Sequence, residues 1–430
     1  MKNPLILSKA AITKIQAIVI AIIIIVAAIA GVAYYYYVGP RAPSPEKTEI
    51  VIGVVHSKTG VMSPQMIYHI YQMWLVNQTN ANGGLYVPEY GKKLPIRIIE
   101  YDDQSNLNNM LQLTEKLITE DKVDLIFAPI STAFCFAAMS LYEKYHYPVI
   151  ALTFGSDIAA EKMRTGEYRY SFSVLGMPSE TGKEVTDLLT YVNATKTSIS
   201  KVGILFHSDQ HGVEYAGAIQ TNLLLGGFTV PVYQGYEPYV SDFTPMITTL
   251  KNANVDVVII CGYQEGSTFI KQCEAQNFNP KLIFAGPTIE VPFLVYGPFG
   301  FTKEELKGVC YYDGWPATAY NTPKLQEWRQ AHVANFGYEP FPASAVFYAA
   351  IECLFQAVEK VGLDREKIRD ALATWTFNTT VGATKLRPGY SMQCELAGTI
   401  TQWQGGDIME VVWPLSAKSA DIIAPKPAWP

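Results

Sequence analysis

Along most of the chain, short apolar runs alternate with longer stretches in which apolar residues recur every three or four positions. That rhythm marks strands followed by helices. Residues 50–55 form a compact apolar run that ends at Lys58-Thr59-Gly60, and 65–80 then reads as a helix. Residues 95–101 read as a strand ending at Asp102-Asp103. Leu107, Met110, Leu111, Leu117 and Ile118 then share one helical face. A strand over 123–128, a helix over 134–145 and a strand over 148–152 follow. A second series begins near Val174, with helices over 181–192, 213–225, 244–251 and 267–276. Strands over 201–206, 229–233, 255–261 and 281–285 alternate with them. Gly226-Gly227 closes one of these helices as glycine caps do. Repeated strand–helix–strand units predict an α/β fold with parallel sheets covered by helices, and two series predict two lobes. Ligands of open α/β sheets bind at the carboxyl ends of the strands. The loops 129–134, 153–157, 207–212, 262–265 and 286–290 are therefore the expected walls of one cleft.

The N-terminal pattern is different. Residues 17–33 are an unbroken run of Ala, Ile and Val with one Gly, followed by four tyrosines. About 22 residues suffice to cross a hydrocarbon core of about 30 Å. The expectation is one transmembrane helix, with Ala17 and Ile24 in the span and Tyr34 and Tyr37 at the water–lipid boundary; a secretory signal cleaved at Gly31-Val32-Ala33 is the competing reading. Lys2, Lys9 and Lys14 precede the run, so the positive-inside rule places the body outside the cell. Lys9-Ala10 resembles the cleavage position of archaeal pilin-like signals, which leave the apolar helix in place and would fit an archaeal source. No Cys follows the run to carry a lipid. Gly39-Pro40-Arg41-Ala42-Pro43-Ser44-Pro45 reads as a stiff stalk.

Composition narrows the function. Of the 430 residues, 49% are hydrophobic and 17% charged, which excludes a disordered chain. The net charge of −6 argues against nucleic acid, which needs a basic face. Cys135, Cys261, Cys273, Cys310, Cys353 and Cys394 contain no CxxC pair, so no zinc site is expected. The cysteines read as buried free thiols; a Cys261–Cys273 disulfide is the alternative, if a strand and its following helix pack together. HExxH, GxSxG and GxGxxG are absent. Gly182-Lys183 mimics the end of a phosphate loop, but Glu184 stands where the metal-binding hydroxyl belongs. Asp102 and Asp103 sit side by side on a strand end and point apart. Only His207 and His211 have a spacing that suits a metal, and they fall in an expected loop. Neither enzyme activity, a cofactor nor a metal is predicted.

Several short motifs occur in order: Ile52-Gly53 with Thr59-Gly60; Asn80-Ala81-Asn82-Gly83-Gly84; Tyr101-Asp102-Asp103; Asp121-Lys122-Val123-Asp124 with Pro129; and Glu143-Lys144-Tyr145 before Pro148-Val149-Ile150. Gly262-Tyr263, Phe284-Ala285-Gly286, Gln402-Trp403-Gln404-Gly405-Gly406 and Val412-Trp413-Pro414 come later. With these the body resembles the branched-chain amino acid (leucine/isoleucine/valine-binding-like) type of solute-binding protein of ABC transporters, with the type I periplasmic binding protein fold. The resemblance implies two Rossmann-like lobes and three crossovers, near 172–174, 311–314 and 394–397. The implied division is an anchor over 1–38, a stalk over 39–48, lobe I over 49–173 and 312–394, lobe II over 174–311 and 395–415, and an extended tail over 416–430.

The resemblance also implies ligand positions. Ser131 and Thr132 match the hydroxyl loop that grips a ligand carboxylate, although either could instead cap the following helix. Thr153 and Gly155 match the next loop. His211 stands where the family has an aromatic residue, Tyr263 matches a family tyrosine, and Phe341 matches a packing aromatic. Thr288 stands where the family carries the acid that pairs with a ligand ammonium, and Glu290 is a candidate substitute. The first loop, 61–64, is shortened. The implied partners are a small solute (an amino acid, amide or organic acid), an ABC permease and, through the N-terminal helix, a membrane; the protein is expected to be a monomer. A ligand-sensing receptor ectodomain that signals through a partner is the alternative.

Overall fold

The computed structural model describes residues 17–19, 21, 24–29, 47–237, 240–395 and 397–430. It divides into a unit over Met1–Thr48 and a compact unit over Glu49–Pro430. In the first unit, the described residues within 17–29 are helical and exposed. No helix among the described residues is long and apolar enough to cross a membrane. Ala17 and Ile24 are among these helical residues, whereas Tyr34, Tyr37 and most of the expected stalk lie outside the described residues.

In the second unit the chain first builds three parallel strands, β1 (Ile50–His56), β2 (Ile96–Asp102) and β3 (Leu125–Phe127), in the order β2-β1-β3. Ile50 pairs with Ile96 and Ile52 with Leu125. Helix α1 (Ile70–Ala81) follows a 3-10 turn at Ser63–Tyr68. The 65–80 segment is thus two elements rather than one helix. Helix α2 (Leu107–Thr119) starts at Asn106, whose side chain accepts from the Asn109 N–H at 3.0 Å. It buries Met110, Thr114, Leu117 and Ile118. A Cβ at Gly53 of β1 would come within 2.9 Å of Leu117, so this glycine permits close helix–sheet packing. Helix α3 (Thr132–Tyr145) leads to β4 (Val149–Ala151), which pairs in parallel with β5 (Ser171–Ser173); α4 (Asp157–Arg164) lies between them.

The chain then enters a seven-stranded sheet. Helix α5 (Pro178–Thr195) leads to β6 (Lys201–His207), α6 (Gln210–Leu225), β7 (Thr229–Tyr236), α7 (Thr244–Ala253), β8 (Val257–Cys261), α8 (Glu265–Ala275) and β9 (Leu282–Ala285). Strand β10 (Val309–Thr318) adds to β9 in parallel. Helices α9 (Pro323–Phe336) and α10 (Ser344–Val361) come next; β11 (Ala397–Gln402) then pairs antiparallel with β10, and β12 (Glu410–Trp413) pairs antiparallel with β11. The order is β12-β11-β10-β9-β8-β6-β7. Every residue of β8 is buried, as expected of a strand with parallel neighbours and helices on both faces.

One local expectation changes. His207 is the last residue of a strand and His211 lies in the first turn of α6, so the expected loop shrinks to two residues. All six cysteines are free thiols, and Cys261 is not joined to Cys273. Residues 416–430 form neither helix nor strand, and they pack against the body. The Trp429 ring N–H donates to the Phe278 carbonyl at 2.9 Å, and Lys426 is buried with its Nζ donating to Asn279 Oδ1 at 2.9 Å.

Candidate functional site

Strand ends from both sheets converge on one small enclosed cavity of about 20 Å³, room for roughly one water. Ser131, Thr132 and Thr153, with Gln65 and Tyr68, line one side. His211, Tyr263 and Pro287 line the other. Leu175 follows β5, and Tyr311 and Tyr312 lie in β10. Among the described residues, no Asp, Glu, Lys or Arg lies on this wall.

The first side is an interlocked set of hydroxyls at the start of α3. Ser131 has φ 83° and ψ 147°, a backbone conformation that costs of order 1–3 kcal/mol for a residue with a side chain. It is held there from both directions. Its N–H donates to Thr153 Oγ1 at 3.0 Å, and its Oγ accepts from the Phe134 N–H at 3.4 Å. Ser131 is therefore both a helix cap and part of the wall. Thr132 Oγ1 accepts from the Gly155 N–H at 3.5 Å. The 14 residues of α3 add the partial positive charge of a helix N-terminus. Hydroxyls around a helix start, with no competing acid on the wall, suit a carboxylate.

Gly155 itself is behind the wall. A Cβ there would meet Tyr215 Oη at 2.1 Å and the Gly176 carbonyl at 2.5 Å. Its absence of a side chain permits that close approach, so the hydroxyl missing at this position reflects packing.

On the second side, His211 lies over Tyr263 with ring centroids 5.2 Å apart and an interplanar angle of 26°. Burial lowers its pKa to about 4, so the ring is neutral at pH 7, and its Nε2 has no hydrogen-bond partner. Tyr263 donates its hydroxyl to Asp209 Oδ2 at 2.7 Å, and the other Asp209 oxygen accepts from the Gly212 N–H at 2.9 Å, capping α6. One carboxylate thus sets both the aromatic ring and the helix start.

Thr288, Glu290 and Phe341 are all buried and stand behind the wall. Thr288 has φ 85°, and its Oγ1 has no partner. Glu290 Oε1 accepts from the Tyr68 hydroxyl at 2.8 Å, while Oε2 has none. Burial pushes the Glu290 carboxyl up to about 8, and the bond from Tyr68 only partly opposes this. At pH 7 the group is mostly neutral. The Trp403 ring N–H pins the loop by donating to the Ile289 carbonyl at 2.9 Å. Phe341 meets the edge of Tyr68 at 5.7 Å, so Glu290 and Phe341 both contact the wall through Tyr68.

Sequence reasoning named the 286–290 loop that carries Pro287 but missed Gln65, Tyr68, Leu175, Tyr311 and Tyr312. The Tyr311-Tyr312 pair inside an expected crossover was an available signal. Tyr68 was hidden because its 3-10 turn reads as part of the next helix. Asp102 and Asp103 do point apart: Asp102 caps the turn at Lys58 and Thr59, whereas Asp103 is buried against Ser57. Among the described residues, no group of three or more His, Cys, Asp or Glu is placed to hold a metal ion.

Comparison with known proteins agrees on the fold. The family described as periplasmic binding protein matches residues 49–407. The Leu/Ile/Val-binding protein homolog 8 of Brucella abortus (strain 2308) is 24% identical over 364 residues, covering 80% of this chain and 85% of the relative. The branched-chain amino acid transporter substrate-binding protein of Streptococcus pneumoniae, solved with isoleucine, superposes with a TM-score of 0.70 at 19% identity, over 88% of this chain and 100% of that one. A solute-binding protein of an ABC transporter from R. palustris, solved with benzoate, gives a TM-score of 0.70 at 18% identity, over 88% and 97%.

Proposed function

The chain belongs to the periplasmic binding protein family, and on that premise we propose that it captures a small carboxylate outside the cell and hands it to an ABC-type permease. The lobes of this reading are 49–173 with 312–394 and 174–311 with 395–415, joined near 172–174, 311–314 and 394–397. A cavity of about 20 Å³ is too small for an organic acid, so the lobes must part to admit one. A ligand that touches both sides then favours closure, because the closed form gains contacts that the open form lacks.

The observation that carries the ligand class is the charge of the wall. An α-amino acid brings an ammonium group, and burying it unpaired costs several kcal/mol. Thr288 offers only a hydroxyl. Glu290 sits behind Tyr68 and is mostly uncharged at pH 7. A carboxylate, by contrast, meets Ser131, Thr132 and Thr153 at the start of α3. Tyr68, Tyr263, Tyr311, Tyr312, Leu175 and the neutral His211 suit a branched or aromatic body. Gly155 supports the hydroxyl corner and Phe341 supports Tyr68. The wall is a binding surface; no nucleophile–base pair on it argues for an enzyme.

The N-terminal segment completes the reading as a single-pass membrane anchor with the body outside, retained whether or not the chain is clipped after Ala10. The exposed apolar helix residues support this, with Ile18, Ile24 and Ile29 at 60–64% exposure. The protein acts as a monomer with a permease as partner. The test is thermal denaturation of the full chain in detergent against carboxylates, amides and amino acids, since a ligand of the native state raises the melting temperature by mass action. If no small solute at millimolar concentration raises it, the capture function fails.

A further inference from the structure

On the lobe division proposed above, two helix starts are each bound by a carboxylate from the opposite lobe. In lobe I, α4 begins at Ser156 and Asp157. Ser156 is buried. Its hydroxyl caps α4 by accepting from the Ala159 N–H at 3.2 Å, and it donates to Glu214 Oε1 at 2.8 Å. The Asp157 N–H donates to the other Glu214 oxygen, Oε2, at 2.8 Å. Glu214 comes from α6 of lobe II, and the side-chain amide of Gln210, one turn earlier, also donates to it. The exchange is reciprocal. At the start of α5 in lobe II, the Ser179 N–H donates to Asp157 Oδ2 at 2.9 Å and the Ser179 hydroxyl to Asp157 Oδ1 at 2.7 Å.

These bonds between the lobes all end on carboxylate oxygens, and two of them start from backbone N–H groups at a helix start. Hydrogen bonds to a carboxylate are roughly twice as strong as neutral ones, and the helix dipole favours negative charge at a helix N-terminus. Ser156, Asp157, Ser179, Gln210 and Glu214 do not line the cavity. They are tied to it through the chain. Ser156 lies three residues after Thr153, and Glu214 lies one turn after His211 on the same helix. Thr153 and His211 stand on opposite sides of the cavity. A motion that carries His211 away from Thr153 to admit a solute therefore carries Glu214 away from Ser156.

We propose that Glu214 and Asp157 are positioning residues that latch the two lobes in the closed form. The latch acts on closure and touches no ligand, so it sets how strongly a solute is kept and not which solute is chosen. The inference rests on the two-lobe capture reading above. It adds that contacts of the protein with itself favour closure before a solute arrives. A larger closed fraction tightens the binding of every solute by the same factor.

Two measurements on the full chain in detergent test this. The first needs no ligand. Tyr90→Cys in lobe I and Leu225→Cys in lobe II are exposed positions for spin labels that report the distance between the lobes, in a Cys394→Ser background because Cys394 is half-buried. Glu214 is itself half-buried, so its replacement does not enter the core. Glu214→Ala should move at least half of the solute-free population to a second distance. Glu214→Gln, which keeps one acceptor oxygen, should move a smaller share. Identical distributions for the native sequence and Glu214→Ala overturn the latch. The second measurement is calorimetry with 4-methylpentanoate and benzoate. Glu214→Ala should weaken both at least fivefold and by the same factor. An unchanged affinity, or a loss confined to one of the two solutes, overturns the latch. If neither solute binds the native sequence, the capture reading fails, and the solute-free distances still decide the latch.

Discussion

The two ends of the proposed site have opposite electrostatic designs; one lines the cavity and the other stands behind its wall. At the first, the hydroxyls of Ser131, Thr132 and Thr153 are each tied to a backbone N–H, and a helix begins. At Thr288 and Glu290 a hydroxyl oxygen and a carboxyl oxygen are buried with no partner, and burial keeps the carboxyl neutral. One end suits negative charge, and the other is neutral. On the proposed function, the first would fix one end of a ligand, and the nature of the other end would be left to a few side chains.

The sharpest way to break that contrast is to titrate the second end. The Glu290 carboxyl is raised to about 8 in the folded protein, against about 4.5 in the unfolded chain. Between those values the folded state binds more protons, so its stability falls as pH rises from about 5 to 8. The swing is at most a few kcal/mol by linkage. Glu290→Gln, which is neutral at every pH, should flatten most of that slope in denaturant unfolding followed across the same range. An unchanged slope would mean that Glu290 is already ionised, and the contrast between the ends would vanish. A smaller effect is expected at the first end. Thr132→Ala should weaken carboxylate binding about tenfold, the value of one charge-assisted hydrogen bond; calorimetry showing an unchanged affinity would move the anion elsewhere. The smallest effect is expected at Tyr263. Tyr263→Phe removes the bond to Asp209 but keeps the ring against His211, so affinity should drop only about two- to fivefold.

The hydroxyl end was legible in the sequence because topology alone puts Ser131, Thr132 and Thr153 at strand ends. The alternation of apolar runs located most strands and helices to within a few residues. The second end was harder. Tyr68 and Glu290 are 222 residues apart, and neither residue signals the other. The charge state of Glu290 follows from burial, which no local pattern encodes. Gly155 is the place where Tyr215 passes close to the chain, a contact that no local pattern encodes. His207 and His211 looked like loop residues because the strand–helix turn between them is so short. The C-terminal segment, rich in Pro and poor in periodicity, gave no hint that Lys426 and Trp429 would be docked.

The most direct test uses two ligands that differ only in the group at issue. Leucine and 4-methylpentanoate share a branched body and a carboxylate, and only leucine has an ammonium. Calorimetry on the full chain at pH 7 should show 4-methylpentanoate binding at least tenfold more tightly than leucine. Leucine binding as tightly as the simple acid, or more so, would contradict the account, because it would require a buried negative partner that neither Thr288 nor a neutral Glu290 supplies.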